Sequence, residues 1–138
     1  NLDPKFGYDV GKLPMMKRCH LPFREMAIKY DGAVAMCCMD WQREGIMGKF
    51  PTSSYKQIWN NQAYNMVRNL LYDKRRDLLS PCKRCNYHPV KVGLIQKPDN
   101  QDEINLNKVA EQFSNYQNQT IELSNRYAKK PFKYKVFS

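Results

Sequence analysis

Four of the cysteines have a spacing that suits metal binding. Cys19 and Cys37 lie far apart in the chain, and Cys82 and Cys85 form a close pair. A thiolate is a soft, charged donor, and a Cys-x-x-Cys pair lets one short turn direct two sulfurs at one ion or cluster. Seventeen residues separate the first two cysteines, and 44 residues separate Cys37 from Cys82. The residue type and spacing predict one metal centre assembled from distant segments of the chain.

A β-hairpin is expected between the first two cysteines. Two short strand-like runs, Glu25–Tyr30 and Ala33–Cys37, flank Asp31-Gly32. Asp-Gly is a strong hairpin signal, because glycine accepts the positive φ that such turns demand. Since a hairpin brings the segment before its first strand close to the end of its second strand, Cys19 and Cys37 can meet in space.

Two other interpretations of the cysteines stay open. Cysteine is among the most buried residue types, so these residues could be inert core thiols. Disulfides are the second alternative, but the chain has no signal-like apolar run and its five cysteines leave one unpaired. Cys38 is the odd residue: adjacent side chains on a strand point to opposite faces, so Cys37 and Cys38 cannot easily serve the same centre.

The Cys-x-x-Cys pair has a basic setting. Pro81 precedes it and should tighten its turn, and Lys83 and Arg84 lie between its two sulfurs. Positive charge beside a thiol favours the thiolate. We therefore expect these two cations to lower the pKa of Cys82 and Cys85.

These cysteines and several residues around them resemble a known family. The shared features are Cys19-x12-Gly32-x4-Cys37, Cys37-Cys38-x-Asp40, Gly48, Ile58-Trp59, Arg68 and Cys82-x-x-Cys85. Together they are similar to the auxiliary-cluster domain that lies behind the catalytic barrel of radical S-adenosylmethionine enzymes. That domain is called SPASM and, in its shortened form, Twitch. The resemblance covers about Lys17 to His88.

The resemblance implies that Cys19, Cys37, Cys82 and Cys85 ligate one [4Fe-4S] cluster. A full SPASM domain carries seven cysteines and two auxiliary clusters, whereas the Twitch form keeps four cysteines and one cluster. This chain is similar to the one-cluster form. It has no Cys-x-x-x-Cys-x-x-Cys triplet, which the family's catalytic barrel requires, and only 18 residues precede Cys19.

No catalytic residue is therefore assigned, and the chain alone is not expected to cleave S-adenosylmethionine. The resemblance implies a partner, a radical S-adenosylmethionine barrel on the parent chain or on another polypeptide. In such a system the cluster would transfer electrons or support the structure near a substrate pocket.

An amphipathic helix is predicted between the cysteine pairs. Ser54 and Gln57 form an S-x-x-Q capping box, and apolar residues then recur at spacings of three and four as far as Leu71. The charged stretch Asp73–Asp77 ends it. We expect this helix to pack over the hairpin and to cover the metal centre, with Trp59 in the core.

A second amphipathic helix is predicted from about Asp102 to Tyr127, and Val90–Ile95 is a candidate strand. Asn and Gln dominate the polar positions of the helix, which weakens its helix propensity. Such a helix could dock on its own domain, on a partner or on a barrel.

Length and composition indicate one small domain and a tail. The chain has 138 residues, of which 42% are hydrophobic and 12% aromatic, and this argues against disorder throughout. The predicted class is α+β: a small metal-stapled domain with a hairpin and a covering helix. We divide the chain into a lead-in (1–16), a cluster-binding domain (17–95) and a linker, helix and basic tail (96–138). No apolar stretch is long enough to cross a bilayer, and reduced cysteines then favour the cytoplasm.

The positive charge of the chain favours a different function, the binding of nucleic acid. The net charge is +10, and cations concentrate in Lys74-Arg75-Arg76, at Lys83 and Arg84, and in the tail at 129–135. Such a charge is typical of proteins that bind phosphate. The alternative is a zinc-stapled nucleic-acid-binding module on the same four sulfurs, in which His20 or His88 could substitute as a ligand.

Overall fold

The structure, a computed structural model, describes residues 13–87, 95–99 and 101–128, with side chains as far as Gln119. Its helices and strands are α1 (Leu21–Arg24), β1 (Ala27–Ile28), β2 (Ala33–Ala35), β3 (Ile46–Lys49), α2 (Tyr55–Trp59), α3 (Gln62–Tyr72), α4 (Ser80–Lys83) and α5 (Leu106–Ala128), with 3₁₀ helices at Arg76–Leu78 and Gln101–Glu103. The predicted α+β class is confirmed. The candidate strand Val90–Ile95 lies outside the described residues except for Ile95, and the basic tail lies wholly outside them.

The predicted hairpin is present, and its turn depends on glycine. Strands β1 and β2 pair antiparallel with Ile28 opposite Val34. Gly32 has a φ of 88°, and a Cβ at this position would collide with the Phe50 carbonyl. The strands are shorter than expected: β2 ends at Ala35, so Cys37 lies beyond the strand.

A third strand, which the sequence analysis did not predict, completes the sheet. Strand β3 pairs antiparallel with β2, and the sheet order is β1-β2-β3. The register shifts between Val34 and Ala35, which marks a bulge. A Cβ at Gly48 would lie 3.0 Å from the Ile58 side chain, so the absence of a side chain lets α2 pack closely on β3. Only four residues long, β3 has too few positions for its alternation to stand out.

The prediction of a single helix from Ser54 to Leu71 is wrong in one respect: the structure has two helices here, α2 and α3. The capping box forms as expected, with the Ser54 hydroxyl accepting from the Gln57 N–H. Asn61 then interrupts the helix: its side-chain oxygen accepts from the Tyr64 N–H at 3.0 Å and caps α3. Its amide also donates to the Met47 carbonyl at 2.7 Å, which ties the break to β3.

One hydrophobic core joins the sheet to the helices. The apolar face of α3 packs with residues of the sheet, α2 and α5, and the fully or nearly fully buried members include Val34, Met36, Met47, Ile58, Val67, Leu70, Leu71, Leu79, Val109 and Phe113. Each such side chain contributes about 1.5–3 kcal/mol relative to exposure. Because Val109 and Phe113 belong to this core, the first half of α5 docks on its own domain.

Gln117 of α5 covers the outer edge of the sheet. Its side-chain oxygen accepts from the Ile46 N–H at 2.6 Å, and its amide donates to the Ile46 carbonyl at 2.8 Å. The side chain thus satisfies two backbone groups that an unpaired edge strand leaves open. Asn and Gln were expected only to weaken this helix, but at this position the amide attaches it to the sheet.

Replacing Gln117 by leucine should destabilise the fold. The buried N–H and C=O of Ile46 would both lose their partner, and each unpaired group costs about 1–3 kcal/mol. We expect the free energy of unfolding, measured by urea denaturation, to fall by about 2 kcal/mol or more. The exposed Gln119→Leu variant is the matched control. Equal stability of the two variants would contradict a role of Gln117 as an edge clamp.

Candidate metal centre

The structure brings four cysteines from three segments around one pocket. Cys19 precedes α1, Cys37 follows β2, Cys82 lies in α4 and Cys85 follows it, and all four side chains line the same small, mostly apolar pocket. All are free thiols. Leu21, Met36 and Leu71 complete much of its wall. Helix α3 therefore covers the pocket through Leu71, as predicted for the helix between the cysteine pairs.

Cys38 lies apart from the other thiols. It is exposed, and it is not among the residues that line the pocket. The prediction that Cys37 and Cys38 point to opposite faces of a strand is wrong, because β2 ends before Cys37. The turn that follows β2 nevertheless separates the two side chains.

Three of the four sulfurs receive a backbone hydrogen bond from the residue two positions later. The Leu21 N–H donates to Cys19, and the Met39 N–H donates to Cys37. The Tyr87 N–H donates to the Cys85 sulfur at 3.3 Å. An N–H donor stabilises a thiolate more than a thiol, so the hydrogen bonds to Cys19 and Cys37 lower the pKa of these two thiols.

Burial works against that ionisation. It raises the pKa of the Cys37 thiol to about 12, because desolvation disfavours the charged form. Burial raises the pKa of Cys19 as well, and it raises the pKa of Cys82 well above its ordinary value, with the charges of Cys37 and Cys19 adding to the effect. The thiolates would need a positively charged partner in the pocket, such as a metal centre.

The cation that opposes this effect is Arg76, one residue of the basic run that supported the alternative of nucleic-acid binding. Arg76 is 1% exposed and lines the cysteine pocket. Its charge lowers the pKa of Cys19 and Cys82. Its Nε donates to the Lys17 carbonyl at 2.9 Å and its Nη1 to the Tyr87 carbonyl at 3.1 Å. The buried Nη2 has no hydrogen-bond partner in the described part of the chain.

The expected role of Lys83 and Arg84 is not found at Cys82, whose pKa is raised. Arg84 points to Glu44, with 2.6 Å between its Nη2 and the carboxylate. Arg75 pairs with Asp77 at 2.9 Å. No sequence signal distinguished Arg76 from its neighbours, because its burial depends on where the 3₁₀ helix meets the pocket.

Asp40 and Tyr64 interact electrostatically with Cys37, and the charge of Asp40 raises the pKa of that thiol. The Tyr64 hydroxyl is buried without a hydrogen-bond partner among the described residues. Burial raises the pKa of Tyr64 to about 12, the charge of Arg68 opposes this rise, and the charge of Cys37 adds to it. Asp40 accepts from the N–H groups of Glu44 and Gly45 at 3.0 and 2.7 Å. It therefore holds the loop between Cys37 and β3 closed.

Of the two histidines considered for a zinc site, His20 does not line the cysteine pocket. It is the N-cap residue of α1. His88 lies outside the described residues. The four cysteines are therefore the soft donors that this part of the structure brings together.

The donor set fits an iron-sulfur cluster. Four cysteine thiols are the usual protein ligands of an iron-sulfur cluster. Within residues 13–87, 95–99 and 101–128, no three His, Cys, Asp or Glu side chains stand close enough to hold a single ion. The thiols surround a common pocket nonetheless, and Arg76, whose buried Nη2 has no hydrogen-bond partner among the described residues, lines it with them.

Comparison with known proteins identifies one family. The model of the SPASM family, described as an iron-sulfur cluster-binding domain, matches residues 19–86. The match begins at the first cysteine of the pocket and ends one residue after the last. No curated protein and no solved structure matches the chain. Among the helices of the described residues, none is long and apolar enough to cross a membrane.

Thiol labelling should reproduce the burial of the pocket. At pH 8 a maleimide should modify the exposed Cys38 first in metal-free protein that circular dichroism shows to be folded. Cys37 should react about a thousandfold more slowly than an ordinary cysteine, because a pKa of about 12 in place of 9.0 lowers its thiolate fraction by that factor. Its rate should continue to rise between pH 9 and 10, where an ordinary thiol levels off. Equal labelling of Cys37 and Cys38 at pH 8, followed by mass spectrometry, would contradict this arrangement.

Proposed function

Residues 19–86 belong to the SPASM family of iron-sulfur cluster-binding domains, and from this we propose that they hold one [4Fe-4S] cluster on Cys19, Cys37, Cys82 and Cys85. We further propose that the domain is the auxiliary part of a radical S-adenosylmethionine system. The catalytic barrel of that system would lie on the parent chain or on another polypeptide.

The observation that carries the proposal is the meeting of the four cysteines around one pocket inside the matched segment. Cys38, the fifth cysteine, is exposed and outside that pocket. Four thiolates are the usual ligand set of a cubane cluster. Three backbone N–H donors and the Arg76 guanidinium would offset the negative charge that such a set carries.

A bound cluster would supply a centre that accepts and donates single electrons. The chain's own residues determine which role is available to it. With four cysteine ligands every iron is capped, so the arrangement supports electron transfer or a structural role and not direct ligation of a substrate. Leu21, Met36 and Leu71 shield the pocket from water, and such exclusion of solvent influences the reduction potential of a cluster.

The alternative, a zinc-stapled nucleic-acid-binding module, receives little support from the basic run that suggested it. Arg76 is buried against the cysteines, and Arg75 and Arg84 are engaged by carboxylates. These three cations are therefore not arranged as a free phosphate-binding face. Lys74 and Lys83 remain exposed.

Anaerobic reconstitution of the full chain tests the cluster directly. We expect about four irons and about four sulfides per chain and a broad visible absorption that dithionite bleaches. Cys82→Ser should lose most of the iron and lower the melting temperature, since metal binding contributes folding energy in a domain of this size. Cys38→Ser is the matched control and should keep both. A colourless protein that holds one zinc would overturn the proposal, as would an unchanged iron content in Cys82→Ser.

Arg76 should tune the reduction potential of the cluster. Positive charge beside the centre stabilises its reduced form, so Arg76→Gln should lower the midpoint potential. If Arg76 stabilises the reduced form over the oxidised form by about 1.4 kcal/mol, its loss corresponds to about 60 mV for a one-electron couple.

Spectroelectrochemical titration measures this shift, with Arg75→Gln as the control that should leave the potential unchanged. Arg76→Lys keeps the charge and should shift the potential less than Arg76→Gln does. If both Arg76 variants bind the cluster and titrate at the potential of the unsubstituted protein, Arg76 has no such role.

A further inference from the structure

A second cavity opens beside α2 and α3, away from the cysteines. Its volume is about 600 Å³, within the range of about 300–1,000 Å³ that is usual for small-ligand sites. None of its lining residues belongs to the lining of the cysteine pocket. What it binds is therefore a question separate from the cluster.

Arg68 is the charged group that the fold fixes at this cavity. Its guanidinium lies 4.3 Å from the centre of the Trp59 ring and 4.7 Å from that of Tyr64. Its Nε donates to the Pro22 carbonyl at 3.0 Å. Two rings and a carbonyl thus hold the planar group in one orientation, which removes much of the entropy cost of binding a ligand through it.

The hydrogen-bonding capacity of Arg68 is not used up. Its Nη2 is buried without a partner, and no carboxylate within the described ranges forms an ion pair with it. Burial lowers the pKa of the guanidinium, because desolvation disfavours its charge. An incoming carboxylate would offset that cost, because a hydrogen bond between a guanidinium and a carboxylate is charge-assisted.

The other charges of the cavity favour an anion. Arg24 and Lys97 line it together with Arg68, and Asp99 is the one carboxylate among the described lining residues. Lys97 is engaged by Asp102, with 2.7 Å between Nζ and the nearer oxygen. Even without Lys97, the two arginines outnumber the single acid.

Amide side chains lie along the same wall. Asn65 is exposed on α3, and no described residue forms a hydrogen bond with its side-chain amide. Asn60 donates its amide to the Lys56 carbonyl, which leaves its side-chain oxygen available. A donor and an acceptor next to a fixed cation match a peptide bond beside an acidic side chain.

We propose that this cavity binds an acidic peptide segment, with Arg68 holding its carboxylate and Asn65 its backbone amide. A free dicarboxylic acid presents the same carboxylate chemistry, and the test distinguishes the two sources. The site does not depend on the cluster, so its failure would leave the proposed cluster-binding function standing.

Calorimetry or NMR titration of the full, cluster-loaded chain measures the binding. The probes are an N-acetylated, C-amidated Gly-Glu-Gly peptide, the matching Gly-Gln-Gly peptide and free glutarate. We expect the glutamate peptide to bind at least about tenfold more tightly than the glutamine peptide, because a charge-assisted hydrogen bond is lost in the latter. Tighter binding of the peptide than of glutarate assigns a peptide ligand, whereas the reverse order overturns that part of the proposal. Equal binding of the glutamate and glutamine peptides, or no binding of either at millimolar concentration, overturns the site.

Three variants locate the binding. Arg68→Gln should weaken it about tenfold or more. Asn65→Ala, on an exposed helix surface, should weaken binding of the peptide and leave binding of glutarate unchanged. Arg24→Gln should weaken both by about two- to threefold, as expected for an exposed cation.

Lys108→Gln is the control, because it removes one exposed charge outside the cavity. If Lys108→Gln weakens binding as much as Arg68→Gln does, the effect is general electrostatics and the site is wrong. Should Arg68→Gln fail to fold, as judged by its circular dichroism melt, the Asn65 and Arg24 variants decide the matter: unchanged affinity in both would overturn the site.

Discussion

Bringing four ionisable thiols together in an apolar pocket is the constraint on which the rest of this structure depends. A metal centre needs thiolates, and burial disfavours them strongly enough to raise the pKa of Cys37 to about 12. Local turns offer part of the compensation, since three sulfurs accept an N–H from the residue two positions later. The rest has to come from charge: Arg76 lines the pocket and supplies part of it, and a bound metal centre would supply more.

The guanidinium groups of Arg68 and Arg76 both donate to backbone carbonyls, and they line different cavities. Arg76 is attached to the Lys17 and Tyr87 carbonyls at the cysteine pocket, and Arg68 is attached to the Pro22 carbonyl beside the second cavity. Each keeps a buried Nη2 without a partner among the described residues. A buried polar group left in this state is costly, which is why unsatisfied donors are informative about what a site receives.

The short strand β3 connects the parts of the fold. It pairs with β2 of the cysteine-bearing hairpin, receives the Asn61 amide at the break between α2 and α3, and is covered at its edge by Gln117 of α5. The loop that leads to it is closed by Asp40. Because Cys37, α3 and α5 all take their positions from this strand, the pocket geometry depends on four residues that bear no ligand.

The sequence by itself determined the cysteine set, the Asp-Gly turn and the capping box at Ser54, because each of these is a local pattern whose physics acts within a few residues. It could not determine which of the clustered cations is buried: Arg75, Arg76 and Arg84 look equivalent in the chain, and only packing places Arg76 among the thiols. The helix break at Asn61 and the clamp formed by Gln117 likewise depend on backbone groups of β3. Tertiary structure decided these features because a polar side chain's role is set by the partner it meets, and these partners lie 14 and 71 positions away in the chain.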